Sequence, residues 1–292
     1  MPLPNPPTLV ADADALDQLV EALRPEPLVA LDTESNSFHV YRERVCLIQL
    51  STRERDWVVD PLAVDVAPLG RILTDGRETV LHGADYDVRC LQREYGWRLP
   101  RLFDTMAAAR RLGRKELGLS ALVAAQFGVK LAKTFQRSDW GRRPLDRAQL
   151  AYAALDTHFL LPLHDQLRTE LDGRGAAAAA HAEFDRIAQG TFREKVFDAE
   201  GYRKLPGARE LDPDGRAVLR ALWIAREARA RESDRPPFKV LAEQTLVDLA
   251  RERPATPEAL ARVRGVTPAV LRRMGEDILR AVREAPATAA AT

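Results

Sequence analysis

Over the first 170 or so residues, short apolar runs alternate with stretches of helical spacing. LVALDT at 28–33, VCLIQLS at 45–51, WVVD at 57–60 and TVLH at 79–82 are rich in β-branched and apolar residues and are bounded by turn formers, the pattern of buried strands. Asp85 to Tyr95, Thr105 to Leu112, Ser120 to Phe127 and Asp146 to Arg168 place their apolar residues at helical intervals instead. An α/β domain is predicted. After Leu171, DGRG breaks the last helix and GAAAAAHAEF follows, an Ala run that favours a helical connector over a disordered linker. From Leu211 the strand pattern is gone, and Pro and Gly punctuate helices at SDRPPF, RERPATPEAL and RVRGVTPAVL. The expected layout is an α/β domain over 1–172, a helical connector over 173–207, a small all-α domain over 208–285 and a frayed tail over 286–292.

Composition narrows the class. The 292 residues are 46% hydrophobic and 30% charged, as in soluble globular proteins, and no run of about 18 apolar residues could span a membrane. The N-terminus lacks the basic-then-apolar layout of a secretory signal and is expected to join the fold directly. Cys46 and Cys90 form no CxxC and have no nearby His, so free thiols in a cytoplasmic protein are expected rather than a zinc site or a disulfide. The net charge of +1 hides an asymmetry: residues 201–292 carry 18 Lys or Arg against 13 Asp or Glu. An acidic front and a basic back suit carboxylate chemistry followed by a module that meets a polyanion.

Three places put carboxylates where a fold alone has little use for them. In LDTES, Asp32 and Glu34 are two apart on a strand and share a face; alone, the pair reads equally as a cap or an exposed strand end. In LHGADYDVRCL, a strand gives way to a helix near Asp85, which sits where an N-cap belongs, and Asp87 lies inside the first turn, where the helix dipole also favours an acid. In AYAALDTHFLLPL, Tyr152 and Asp156 are i and i+4 on one helix face, a spacing a local Tyr–Asp pair would also use.

Taken in order, D-x-E at a strand end, Tyr86-Asp87 after a strand-helix turn and Y-x3-D on a later helix resemble the three motifs of the DEDD exonuclease superfamily. Tyr152 points to its DEDDy branch, since the other branch would have His at 151, where this chain has Ala. YRERVCLIQLS, LFDTMAAARRLG and SDWGRRPL extend the match, and the whole is similar to the ribonuclease D family, with a C-terminal part that resembles an HRDC domain. The resemblance covers roughly residues 10–285. It implies an RNase H-like mixed sheet flanked by helices, the DnaQ-like exonuclease fold, followed by a small all-α HRDC domain. It also implies two divalent cations, Mg²⁺ or Mn²⁺, held by Asp32, Glu34, Asp87 and Asp156. Asp32 would bridge the two ions, Glu34 and Asp156 would complete one site, and Asp87 would serve the other through water. Oxygen-only ligands suit hard cations that also bind substrate phosphate.

The implied reaction is hydrolysis of RNA from its 3′ end to nucleoside 5′-monophosphates, with tRNA precursors as the expected partner, by a monomer with no organic cofactor. Tyr152 would orient the attacking water, and an ordinary phenol pKa near 10 argues against its acting as a bulk base. Glu34 could also hold the terminal 3′ hydroxyl. Thr33 is a candidate substrate contact. So is the basic segment KLAKTFQRSDWGRR, with Lys130, Lys133, Arg137, Arg142 and Arg143, which a solvated surface explains as simply. Asp104 is expected to cap a helix and His82 to be structural. In the C-terminal part Leu219, Leu222 and Trp223 are expected in the core, and VRGVTP at 263–268 is a weaker candidate for phosphate at a helix start. The same chemistry on DNA is the nearest rival, because these motifs do not read the sugar. A non-catalytic RNA-binding scaffold predicts a lost motif residue, and all five are present.

Overall fold

In the computed structural model, which describes residues 5–194 and 196–290, the apolar runs assemble into one mixed sheet of six strands. The strands are β1 (Thr8–Val10), β2 (Leu28–Ser35), β3 (Val45–Ser51), β4 (Asp56–Val59), β5 (Glu78–Leu81) and β6 (Arg101–Asp104), in spatial order β1-β4-β3-β2-β5-β6. β3 runs antiparallel to both β2 and β4, whereas the β1–β4, β2–β5 and β5–β6 pairs are parallel. Helices α1 (Ala13–Leu23), α2 (Ala67–Leu73), α3 (Asp85–Tyr95), α4 (Thr105–Arg111), α5 (Leu119–Phe127), α6 (Arg147–His158), α7 (Leu160–Gly173) and α8 (Ala177–Ala188) flank it. Leu31, Ile48, Leu50 and Val59 of the sheet are buried in one core with Leu16, Leu19 and Leu23 of α1. Leu47 and Val58 are buried in another with Tyr152, Ala153 and Ala154 of α6.

β2 runs two residues further than its apolar pattern, so Glu34 lies within the strand, and the pairing with β3 slips at Glu34/Ser35. β1, β6, α1 and α2 were not expected. β1 is three residues long, too short for a pattern, and β6 runs straight into α4, while α1 carried a readable cap, Asp12 accepting from Ala15 N at 2.9 Å. The single helix expected over 146–168 is two. Pro162 lacks an N–H and its ring clashes with the carbonyl four residues back, that of His158, where α6 ends.

The chain divides into two compact units, one made of residues to Asn36 with Arg44–Arg193, the other of Ser37–Glu43 with the residues from Glu194 on. α8 buries Ala180, Phe184 and Ile187 in the first unit's core, and Tyr202 and Leu205 belong to the second's, so the stretch expected as a separate connector is shared between them. The second unit is helical: α9 (Pro213–Glu232), α10 (Pro237–Val240), α11 (Glu243–Glu252), α12 (Pro257–Leu260) and α13 (Pro268–Ala290). Leu219 and Leu222 are fully buried there, with Trp223 at the rim under the Arg226 guanidinium, 4.4 Å from its ring. Within this unit Tyr41 N and Arg42 N both donate to Asp234 Oδ1 at 3.1 Å, and Arg231 Nε donates to the Tyr41 hydroxyl at 2.7 Å. α13 reaches Ala290 and so takes in most of the tail expected to fray; residues 291 and 292 lie outside the described residues. No helix among the described residues is long and apolar enough to cross a membrane.

Candidate active site

β2 alternates as expected, with Asp32 and Glu34 on one face and Thr33 between them. α3 starts after the β5 turn and brings Asp87, 6% exposed, to the pair; α6 brings Asp156. All four carboxyls sit well above the ordinary carboxylate range, and burial is the first cause at each. Asp32 is raised further by Asp87, then Asp156, then Glu34; Glu34 reaches about 9 through Asp156 and Asp87; Asp156 feels Asp87. Residues from three elements therefore share one electrostatic field. Like charges held this close need protons or cations between them.

Thr33 and Asp87 are connected. Thr33 is 7% exposed, and its hydroxyl donates to Asp87 Oδ1 at 2.5 Å, which offsets part of the upward push on that carboxyl. Thr33 thus holds a carboxylate, a role the sequence did not suggest beside the substrate contact expected of it. Tyr152 is 9% exposed between the rings of Trp140, stacked at 6.1 Å, and Phe135, edge-on at 5.6 Å. Burial and then the charges of Asp156, Glu34 and Asp32 push its hydroxyl above its ordinary pKa, so it stays protonated across the working range.

α6 is fixed at both ends. Asp146 and Gln149 form a capping box at its start, with Gln149 N donating to Asp146 Oδ1 at 2.7 Å. Near its end, Thr157 and Ser51 hydroxyls meet at 2.7 Å, Ser51 donates to Asp56 Oδ1 at 2.5 Å, and His158 Nδ1 lies 2.8 Å from Asp56 Oδ2. This buried chain ties the residues after Asp156 to β3 and β4. It was missed because its members come from three separate segments; a His and a Thr directly behind the motif Asp were the only hint.

Other expectations sort plainly. Asp85, the rival to Asp87, is exposed, paired with Arg89, and sits at the first position of α3 rather than at its N-cap, which is Ala84. The turn is closed by Asp104, whose carboxylate accepts from Gly83 N and Ala84 N at 3.0 and 2.9 Å and also caps α4 through Met106 N and Ala107 N. His82 is 2.9 Å from the Thr105 hydroxyl and is driven by burial to a pKa of about 4, so it is neutral. Arg143 is a correction. All five of its N–H donors are spent: on both oxygens of Asp60 at 2.5 and 2.7 Å, and on the carbonyls of Cys46, Trp140 and Arg142. No donor remains for a phosphate. Lys130, Lys133, Arg137 and Arg142 are exposed in the irregular stretch between α5 and α6. In VRGVTP, Gly265 has φ +85°, and a Cβ there would stand 2.1 Å from the Thr245 hydroxyl, so close packing accounts for that glycine without a ligand.

Among the described residues no group of three or more His, Cys, Asp or Glu side chains is arranged to hold a metal ion as it stands. The four carboxylates are an all-oxygen set in which Asp87, Asp156 and Glu34 raise Asp32, Asp156 and Asp87 raise Glu34, and Asp87 raises Asp156, and that donor chemistry fits hard divalent cations that keep water and phosphate as further ligands.

Comparison with known proteins gives an independent line. A family described as 3′-5′ exonuclease matches residues 7–172, and the HRDC domain matches residues 215–282. The chain is 34% identical to a ribonuclease D of Gluconacetobacter diazotrophicus over 287 residues, 96% of this chain and 72% of that protein. Its structure is similar to the catalytic core of RRP6 from Trypanosoma brucei, with a TM-score of 0.89, 28% identity and coverage of 97% of this chain and 80% of that one. It is also similar to Escherichia coli RNase D, an exoribonuclease involved in structured RNA processing, with a TM-score of 0.72, 33% identity and coverage of 96% and 75%.

Proposed function

Because this chain belongs to the 3′-5′ exonuclease family of ribonuclease D and RRP6, with an HRDC domain behind the nuclease part, we propose that it degrades RNA from the 3′ end to nucleoside 5′-monophosphates. The observation that carries the reading is the convergence of Asp32, Glu34, Asp87 and Asp156, Asp87 buried and the other three partly so, into one set whose charges repel. Asp32, Glu34 and Asp156 would hold one Mg²⁺ or Mn²⁺, and Asp32 with Asp87 the other. Two such ions, held there, would supply activation of the attacking water and stabilisation of the leaving 3′ oxygen in an in-line displacement.

The chain's own residues do the rest. Thr33 fixes the Asp87 carboxylate, and the Ser51–Asp56–His158 chain fixes the end of α6 just beyond Asp156. Tyr152, held protonated between two aromatic rings, orients the water by hydrogen bonding and takes no proton from it. Lys133, Arg137 and Arg142, exposed before α6, draw in the phosphate backbone. Relatives named for ribonuclease activity support RNA over DNA, and structured RNA such as tRNA precursors as the substrate class. The proposal extends to a monomer in the cytoplasm, where the buried free thiols of Cys46 and Cys90 suit a reducing compartment.

The test is digestion of 5′- and 3′-labelled RNA and DNA of one sequence, with Mg²⁺, with Mn²⁺ and with chelator. Mononucleotides released at once from 3′-labelled RNA, slower loss of DNA and no product under chelation are expected. Internal cuts, or equal rates on DNA, would overturn the reading.

A further inference from the structure

Gln49 has a side chain with no exposed surface, yet neither its Nε2 nor its Oε1 has a hydrogen-bond partner. It stands on β3 directly opposite Asp32 of β2 in the antiparallel register. Opposed residues of such a pair project from the same face, with Cβ atoms about 4.5–5.5 Å apart. On its other side Gln49 faces Val58 of β4, and Leu47 and Val58 pack with Ala153, Ala154 and Tyr152 of α6. The carboxamide therefore lies on the α6 side of the sheet, in an apolar layer, next to Asp32.

Nothing in the fold accounts for it. An unpaired buried polar group is destabilising, and a Met or Leu would fill the same space without that cost. The other polar residue on this face of β3 is satisfied, since Ser51 bonds both Asp56 and Thr157. Carboxylates that ligate metals are themselves commonly hydrogen-bonded from behind, and removing such a partner typically lowers metal affinity by about 10–100-fold.

We infer that Gln49 is a positioning residue for Asp32: in the cation-bound site its Nε2 donates to the Asp32 carboxylate and so sets its orientation toward the cations. The inference rests on the metal reading of the carboxylate set. It accounts for a carboxamide being kept, unpaired, in the interior.

The experiment uses the full chain, Gln49→Met and Gln49→Leu, with Mn²⁺ titrated calorimetrically and melting followed in chelator. Each variant removes an unpaired dipole, so the metal-free melting temperature should hold or rise, whereas Mn²⁺ affinity should fall about tenfold or more. At saturating Mn²⁺, kcat should recover toward wild type while KM for RNA stays within about twofold, because the effect passes through Asp32. Mn²⁺ affinity within about twofold of wild type in either variant overturns the inference, as does metal-free unfolding of both, since the carboxamide would then be holding the fold, for instance through a buried water. If wild type itself binds no Mn²⁺, the metal reading fails. If wild type binds and either variant binds equally, only the role of Gln49 fails.

Discussion

Asp32 is the residue on which the most interactions converge, because the other three carboxylates all push its pKa upward. Asp32→Asn keeps the volume and removes one charge from a repelling set. It should raise the metal-free melting temperature while lowering kcat by more than about a hundredfold, since several kcal/mol of charge stabilisation is at stake and each 1.36 kcal/mol is tenfold; activity near wild type would exclude Asp32 from the chemistry. Glu34 gives a pH signature. Its carboxyl is raised to about 9, so the folded chain keeps a proton that the unfolded chain has released. Stability from this group is fully present below the ordinary carboxyl range and is lost as pH rises through about 9. In chelator, the melting temperature should fall from about pH 5 to about pH 9, with a shallower fall in Glu34→Gln and in wild type with Mg²⁺. At this scale the four carboxylates and Tyr152 could be picked out as motifs, because each lies within a short local pattern. The roles of Thr33 and Arg143 could not, because their partners Asp87 and Asp60 lie 54 and 83 positions away.

Between residues and whole chain, α6 is the element that carries two motif positions, and the segment leading into it is pinned by Arg143. Asp60 is 5% exposed and takes two charge-assisted bonds from that guanidinium. Arg143→Met should leave a buried carboxylate unpaired and cost about 3 kcal/mol, the low end for breaking such a pair because Arg143 itself is partly open. The melting temperature would drop, and Asp60→Asn in the same chain should recover part of it. A lowered RNA affinity at unchanged stability would instead restore Arg143 to the substrate-binding set. β3 and α3 were readable to the residue, VCLIQLS as an apolar run and DYDVRCLQREY as a helical one. β6 was not, because RLFD is four residues continuous with α4, and only its pairing with β5 makes it a strand. The break between α6 and α7 was present in the chain as Pro162, whose effect falls on a carbonyl four residues earlier.

For the whole molecule, the division into two units changes where the nuclease should be separable. A cut before residue 208, as composition suggested, leaves Tyr202 and Leu205 without the core they are buried in, 5% and 7% exposed in the intact chain. A cut after Arg193 removes them, keeps α8 with Phe184 and Ile187 on the first core, and costs only the partners of the Ser37–Glu43 segment. The fragment 1–193 should therefore be soluble and fold cooperatively, while 1–207 should aggregate, as light scattering at equal concentration would show. Residues 201–292 carry a net charge of +5, so their loss should also alter how salt acts on binding. Each phosphate contact on a single strand contributes a slope of about −0.7 in log K against log salt. Fragment 1–193 should bind long RNA more weakly and with a shallower slope than the intact chain, yet cleave a short oligonucleotide within about threefold of it, because all four carboxylates and Tyr152 lie in the first unit. An unchanged salt slope would mean that the basic C-terminal third of the chain does not meet the phosphate backbone. Loss of short-oligonucleotide cleavage would mean that the loop after β2, which counts with the second unit, must be held for Asp32 and Glu34 to work.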